Sequence, residues 1–344
     1  MGETGLIERI RSLVDHRLDD QLLRKNLIMG IADDAAVYRP TPGMVQLLTT
    51  DAFVEGIHFD LSFTSFKHLG WKAMAANLSD IAAMAGTPRY ATISLSLPKK
   101  ISVEMVEEFY EGALFAGKKY SCLVVGGDTT SSLGNMMVSV AMTGEAAEGR
   151  VAYRRGAMPG DALVVTGHLG GSHAGLKVLV REKARFEKAR DPGEFKPNLE
   201  PYTSAVEKHL MPRPRLDIST LLAERVTVRA MTDISDGLAS EVHRICANSN
   251  VGAEVFEHNI PVDATTQMAA EEFSDAPTDY ALYGGEEYEL LMALSDEEFG
   301  KLESLTGDVT MIGRVTGQES GIKLVRENGS REELKFGGWD HFRP

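Results

Sequence analysis

Turn residues and charge replace the apolar pattern over RRGAMPGD, Arg154–Asp161, and a fresh strand–turn–helix series begins directly after it. This break constrains the fold more than any other feature, because 344 residues are too many for one ordinary core. Two domains are expected, 1–150 and 151–344, each large enough to bury its own interior.

Before the break, residues 4–24 carry an amphipathic pattern (Leu6, Ile7, Ile10, Leu13, Val14, Leu22, Leu23) that reads as one or two helices. Strand-like stretches follow around Ala35–Tyr38 and over 45–50. Residues 66–86 read as a helix whose small residues allow close neighbours. YATISLSLP reads as a strand, VEMVEEFYEGALFAGKKY as a helix, CLVVGGD as a buried strand and turn, and MMVSVAMTGEA as a strand. After the break, ALVVTGHLGGSHAGLKVLV reads as strand, glycine-rich turn and helix. The charged run 181–200 reads as a solvated helical extension and loop, and HLMPRPR as a rigid connector. RAMTDISDGLASEVHRICANS gives strand, turn and helix, YGGEEYELLMAL turn and strand, and DVTMIGRV a strand. The class is α/β (α+β), with no repeat of fixed short period.

Composition narrows the function. Apolar and charged fractions of 43% and 25% are those of a soluble globular protein, and no apolar run approaches the ~18 residues that span a bilayer, so a membrane role is not expected. The N-terminus lacks a basic start followed by an apolar core, and Leu6 stands where a myristoylation signal wants Ser or Thr, which makes the cytoplasm the expected location. Cys122 and Cys246 are far apart and lack partners at metal spacing, so both are expected to be buried thiols. The net charge of −14, with basic residues scattered, argues against nucleic acid as a partner. A phosphate-bearing ligand would need divalent cations to approach such a surface.

Five short stretches place acids at turns beside small residues: GIADDAAV (Asp33, Asp34), LLTTDAF (Asp51, after Thr49 and Thr50), NLSDIAAM (Asp80), VVGGDTT (Asp128) and TDISDGL (Asp233, Asp236). Singly, each is more simply a cap or turn former. As a set they supply the hard oxygens that Mg²⁺ prefers. Asp80 lies inside a mostly apolar helix, where it needs either a cation such as Lys72 or a metal. DISDG begins like a calcium loop, but the later Gly and Glu positions fail. GGSHAGLKV departs from a P-loop at Leu176 and Val178. The turn 167–175 either exposes N–H groups to phosphate or simply packs closely. No nucleophile triad is visible.

With these residues assembled, the sequence resembles the thiamine-monophosphate kinase family, within the superfamily of aminoimidazole ribonucleotide synthetase. The likeness runs over nearly the whole chain through GIADDAAV, TTDAFVEGIHF, KAMAANLSDIAAMAGTP, VVGGDTT, RRGAMPGD, VTGHLGGSHAGL, DISDGLASE, GGEEYEL and GGWDHF. The resemblance implies an N-terminal mixed sheet with helices that pairs with its twin in a homodimer to make a barrel-like core. A C-terminal α/β domain then closes over the cleft. It implies Mg²⁺ ligands at Asp34, Thr50, Asp51, Asp80, Asp128, Asp233 and Asp236, with Thr49 and Asp33 nearby. It implies ATP contacts at Gly127, Asp128, Arg154 and Ser235, with Asp51, Asp128 and Arg154 serving phosphoryl transfer. Thiamine monophosphate would meet His58, Glu286, Phe336 and Trp339, the two aromatics having packing as the alternative role. Ala32 departs from the family's Gly at the first motif. The chemistry implied is direct in-line transfer without a general base, since a phosphate monoester has a second pKa of ~6. The rivals are another ATP-dependent member of the superfamily and a non-catalytic Mg-nucleotide sensor.

Overall fold

The computed structural model describes residues 3–17, 25–31 and 34–339. Asp33 and Ala32 lie outside the described residues, as do residues 18–24 of the expected 4–24 helical stretch. The described chain divides into two compact units, 1–81 with 86–149 and 82–85 with 150–344.

In the first unit the elements are α1 (Glu3–Arg17), β1 (Leu27–Met29), β2 (Val37–Tyr38), β3 (Met44–Val54), α2 (Phe66–Ala83), β4 (Thr87–Pro98), α3 (Val103–Lys119), β5 (Leu123–Ser132) and β6 (Met137–Ala147). Four of the strands form a mixed sheet in the order β3-β6-β4-β5, in which only β4 and β5 run parallel. The GGD stretch does not turn, as the sequence suggested. β5 continues through it to Ser132, because parallel β4 supplies backbone partners along its length.

Helix α3 starts where the Ser102 side chain accepts the Met105 N–H, carries Glu104 in its first turn and Lys118 and Lys119 in its last, and so opposes the helix dipole at both ends. Its buried face (Val106, Phe109, Tyr110, Ala113, Leu114) meets α2, a helix buried nearly all round. The two backbones touch at Gly70 and Gly112. A Cβ at Gly70 would overlap the Phe109 carbonyl, and one at Gly112 the Lys67 carbonyl, so no other residue permits this approach. α2 in turn lies against the sheet, with Ile81 filling the space above Gly144 of β6.

The second unit contains β7 (Ala162–Thr166), α4 (Gly171–Glu187), α5 (Thr203–Leu210), α6 (Leu216–Glu224), β8 (Ala230–Asp233), α7 (Leu238–Ser249), β9 (Gly252–Phe256), α8 (Ala264–Phe273), α9 (Pro277–Tyr283), β10 (Leu290–Leu294), α10 (Asp296–Leu305), β11 (Val309–Thr316), β12 (Ile322–Val325) and β13 (Arg331–Glu333). Seven strands form one sheet, β13-β12-β9-β11-β7-β10-β8, with both faces covered. Period-two alternation divides the strands between two cores. Leu163, Val165, Leu291 and Ala293 pack with Leu238, Val242 and Ile245 of α7. Ala162, Val164, Leu290 and Met292 pack with Ile218 and Leu222 of α6 and Leu302 of α10. This explains why β7 and β10 are unbroken apolar runs.

Glu145 ties the first unit together. Almost wholly buried, it accepts from the Thr41 N–H at 2.9 Å, Gln46 Nε2 at 3.1 Å and Arg89 Nε at 3.0 Å. Burial pushes its pKa up, but these donors outweigh burial and hold the carboxyl below the usual carboxylate range. A depressed folded pKa contributes stability above the unfolded value of about 4.3 and loses it as pH falls through the folded value. Glu145→Gln is therefore expected to destabilise the protein by about 2 kcal/mol at pH 7. The gap should narrow below about pH 4, as read from thermal unfolding of both proteins across pH; a gap independent of pH would exclude the charge as its cause.

Candidate active site

In the first unit, alternation along β3 aims Thr49, Asp51 and Phe53 at the helix-covered face, while Thr50 and Ala52 point the other way. The Thr49 hydroxyl donates to Asp80 Oδ2 on α2, so one oxygen of the carboxylate that the apolar helix carries is met from the neighbouring strand. The Thr50 hydroxyl donates to the Val140 carbonyl at 3.0 Å. His58 follows β3 in a turn closed by its own ring, Nδ1 accepting the Val54 N–H at 3.0 Å, with the ring 5.6 Å from that of Phe53. Asp34 is exposed just before β2.

Asp51 and Gly127 share one row across the sheet, through Val140 and Ile93. They occupy opposite edges, three strand spacings or roughly 14 Å apart at the backbone. Asp128 is in register with exposed Ser94 and so shares the open face, not the face that holds Asp51. Among the described residues, no three His, Cys, Asp or Glu side chains converge into one metal cage. The acids form separate local groups of hard oxygen donors.

The second unit gathers the remaining candidates around the turn between β8 and α7. Arg154 Nε donates to Thr232 Oγ1 at 3.2 Å, next to buried Asp233. Arg244 pairs with both Asp236 and Glu241. Glu241 is fully buried, and its pKa is pushed up to about 8: burial is the largest cause, Arg244 and Arg154 oppose it, and Asp233 and Asp236 reinforce it. Three carboxyls, Asp233, Asp236 and Glu241, thus share this turn with two guanidiniums, and burial favours the neutral form of Glu241.

Two further segments fold onto the turn. The Glu286 N–H donates to the Ser235 carbonyl at 2.7 Å, and Glu286 Oε2 lies 3.6 Å from His209 Nδ1. The Trp339 N–H donates to the Asp236 carbonyl at 3.2 Å, and the Phe336 ring stands 5.6 Å from His243. Phe336 and Trp339 are 52% and 51% exposed, so neither is a buried plug of this unit's core. The glycine-rich turn 167–175 is not open to an outside anion at the head of α4, because Glu287 Oε1 accepts the Ser172 N–H there at 3.0 Å. Sequence reasoning did not single out Glu241, Arg244, Lys208 or His209. Glu241 and Arg244 were detectable as an i, i+3 pair on one helix face after DISDG. Lys208 and His209 carry no local signal.

Comparison with known proteins follows the same division. Residues 32–146 match the N-terminal domain and residues 158–325 the C-terminal domain of the AIR synthase related proteins. The thiamine-monophosphate kinase of Bacillus subtilis strain 168 is 32% identical over 348 aligned residues, covering 100% of both chains. A crystal structure of thiamine-monophosphate kinase from Stenotrophomonas maltophilia K279a superposes with a TM-score of 0.79 at 30% identity, covering 96% of this chain and 98% of that one. A structure described as AaThiL complexed with AMPPCP and TMP gives 0.76 at 32% identity, covering 99% and 97%. Similarity of this extent, carried end to end through both domains, makes this chain a member of the thiamine-monophosphate kinase family of AIR synthase related proteins.

Proposed function

We propose that the chain transfers the γ-phosphoryl group of ATP directly to thiamine monophosphate, yielding thiamine diphosphate and ADP in thiamine diphosphate biosynthesis. The observation that carries this reading is likeness over the whole chain to thiamine-monophosphate kinases, one of them solved with AMPPCP and TMP. The acceptor phosphate is already deprotonated near neutral pH, so the reaction needs no general base. Catalysis is then a matter of holding two anions in line within an acidic protein.

The donors present fit Mg²⁺. Thr49, Thr50, Asp51, Asp80, Asp128, Asp34, Asp233 and Asp236 offer only carboxylate and hydroxyl oxygens, and Asp33 joins them from outside the described residues. These residues would hold Mg²⁺, which would supply charge neutralisation for the transferring phosphoryl group. Arg154 adds positive charge beside Asp233, and Gly127 and Ser235 offer backbone to the nucleotide. His58, Glu286, Phe336 and Trp339 receive thiamine monophosphate, whose cationic thiazolium suits an aromatic face. The exposed sheet face bearing Leu48 (77% exposed), Thr50, Ala52, Thr92 and Ser94 supports a homodimer in which a second copy covers it as a barrel-like core, with the C-terminal domain closing over the nucleotide. No described helix is long and apolar enough to cross a membrane.

With purified protein, ATP, Mg²⁺ and thiamine monophosphate, thiamine diphosphate and ADP should form in equal amounts; ATP binding without product would reject the assignment. Asp51→Asn should lower kcat by at least about 100-fold with the thermal midpoint unchanged, and near-normal turnover would remove Asp51 from the reaction. The aromatic tail yields a separate expectation. Gly338 has φ +134, and a Cβ there would overlap the Asp236 carbonyl, so Gly338→Ala should lift Trp339 off the turn. Acrylamide should then quench more tryptophan emission, and KM for thiamine monophosphate should rise about tenfold with KM for ATP unchanged. Unaltered quenching and KM would take the tail out of the substrate site.

A further inference from the structure

The loop 284–289 contains two non-glycine residues in the left-handed region, Glu286 at φ +63 and Tyr288 at φ +55. Such backbone persists only where the surroundings over-determine it, and it concentrates where a side chain must be aimed. Here the surroundings can be named. The Glu286 and Tyr288 N–H groups donate to the Ser235 and Ile234 carbonyls, and the Ile234 N–H to the Glu289 carbonyl. Arg215 pairs with Glu289 at 2.7 Å, and the Thr166 hydroxyl donates to the same carboxylate oxygen.

The last turn of α5 supplies two neighbouring basic residues to this loop. Lys208 Nζ lies 3.0 Å from Glu287 Oε2 and 4.0 Å from Glu289 Oε1, and donates to the His168 carbonyl. Glu287 is fully buried, held between Lys208 and the Ser172 N–H at the head of α4. Buried acids on the loop are therefore fixed from beneath. Glu286 keeps a solvent face, its side chain 26% exposed, and meets His209, 4% exposed, from behind at 3.6 Å. The same His209 Nδ1 lies 3.2 Å from Ser172 Oγ. The imidazole thus stands between a fixed hydroxyl and the carboxylate that looks outward.

We propose that His209 is a positioning residue for thiamine monophosphate binding: from the buried side it sets the direction of the Glu286 carboxylate, on a loop that Lys208 locks. The proposal rests on the assignment of Glu286 to the substrate. It gives a purpose to a buried histidine that phosphoryl transfer itself does not use. It also accounts for the strain at Glu286, which aims the carboxylate at fixed support from α5.

The test is a mutant cycle on the full chain, measuring KM for each substrate, kcat and the thermal midpoint. His209→Leu should raise KM for thiamine monophosphate about tenfold while kcat and KM for ATP stay within about twofold. His209→Asn, whose amide can occupy the place of Nδ1, should restore KM to within about threefold of the parent. His209→Leu combined with Glu286→Gln should be no worse than Glu286→Gln alone, because one residue acts through the other. Additive losses, or an unchanged KM in His209→Leu beside a raised one in Glu286→Gln, would overturn the proposal. An unchanged KM in Glu286→Gln would instead remove Glu286 from the substrate, and this inference with it. If His209→Leu fails to fold, Ser172→Ala takes its place: a raised KM for thiamine monophosphate supports the positioning role, and an unchanged one sinks it.

Discussion

A carboxylate on a buried helix must be met by a polar group, and in the N-terminal unit the Thr49 hydroxyl meets Asp80. That contact exists only because α2 lies close to the sheet. α2 is held there by Ile81 over Gly144 and by the direct backbone contact with α3 at Gly70 and Gly112. The order of causes therefore runs from two glycines, through a helix crossing, to the oxygens midway along β3. Removing the close approach would part Asp80 from Thr49.

The C-terminal unit meets a related difficulty by different means. Its acids crowd one turn and one loop, and arginines and a lysine hold them apart in pairs. Arg244 spans Asp236 and Glu241, Arg215 spans Glu289, Asp217 and Asp308, and Lys208 spans Glu287 and Glu289. Buried pairs of this kind contribute little net stability compared with apolar packing, but they are costly to break. They set directions. Among the acids so held, Asp217 and Asp308 are the most open, at 58% and 54%, and Asp236 keeps 26% of its side chain exposed, as does Glu286 beside His209.

Much of the fold was legible because burial imposes periodicity. The long apolar alternations predicted β4 and β6, and the amphipathic run predicted α3 almost to its ends. The GGD stretch misled, since two glycines in a row read locally as a turn, whereas β4 alongside keeps them extended. The acidic residues were legible as types but not as turn residues, since Asp51 lies within β3, Asp128 within β5 and Asp80 within α2. Their grouping was not legible either: sequence order cannot say that Asp51 and Asp128 stand on opposite edges of one sheet, or that Trp339 docks on Asp236.

By itself, the sequence determined the family, the α/β class and the hard-oxygen character of the site, because these depend on residue type, local period and motif order. Tertiary structure alone decided which acids are neighbours, which are offset by cations, and which keep a solvent face. The physical reason is that pairing depends on distance, and distances between residues far apart in sequence, such as Thr49 and Asp80 or His209 and Glu286, come into being only when the elements pack.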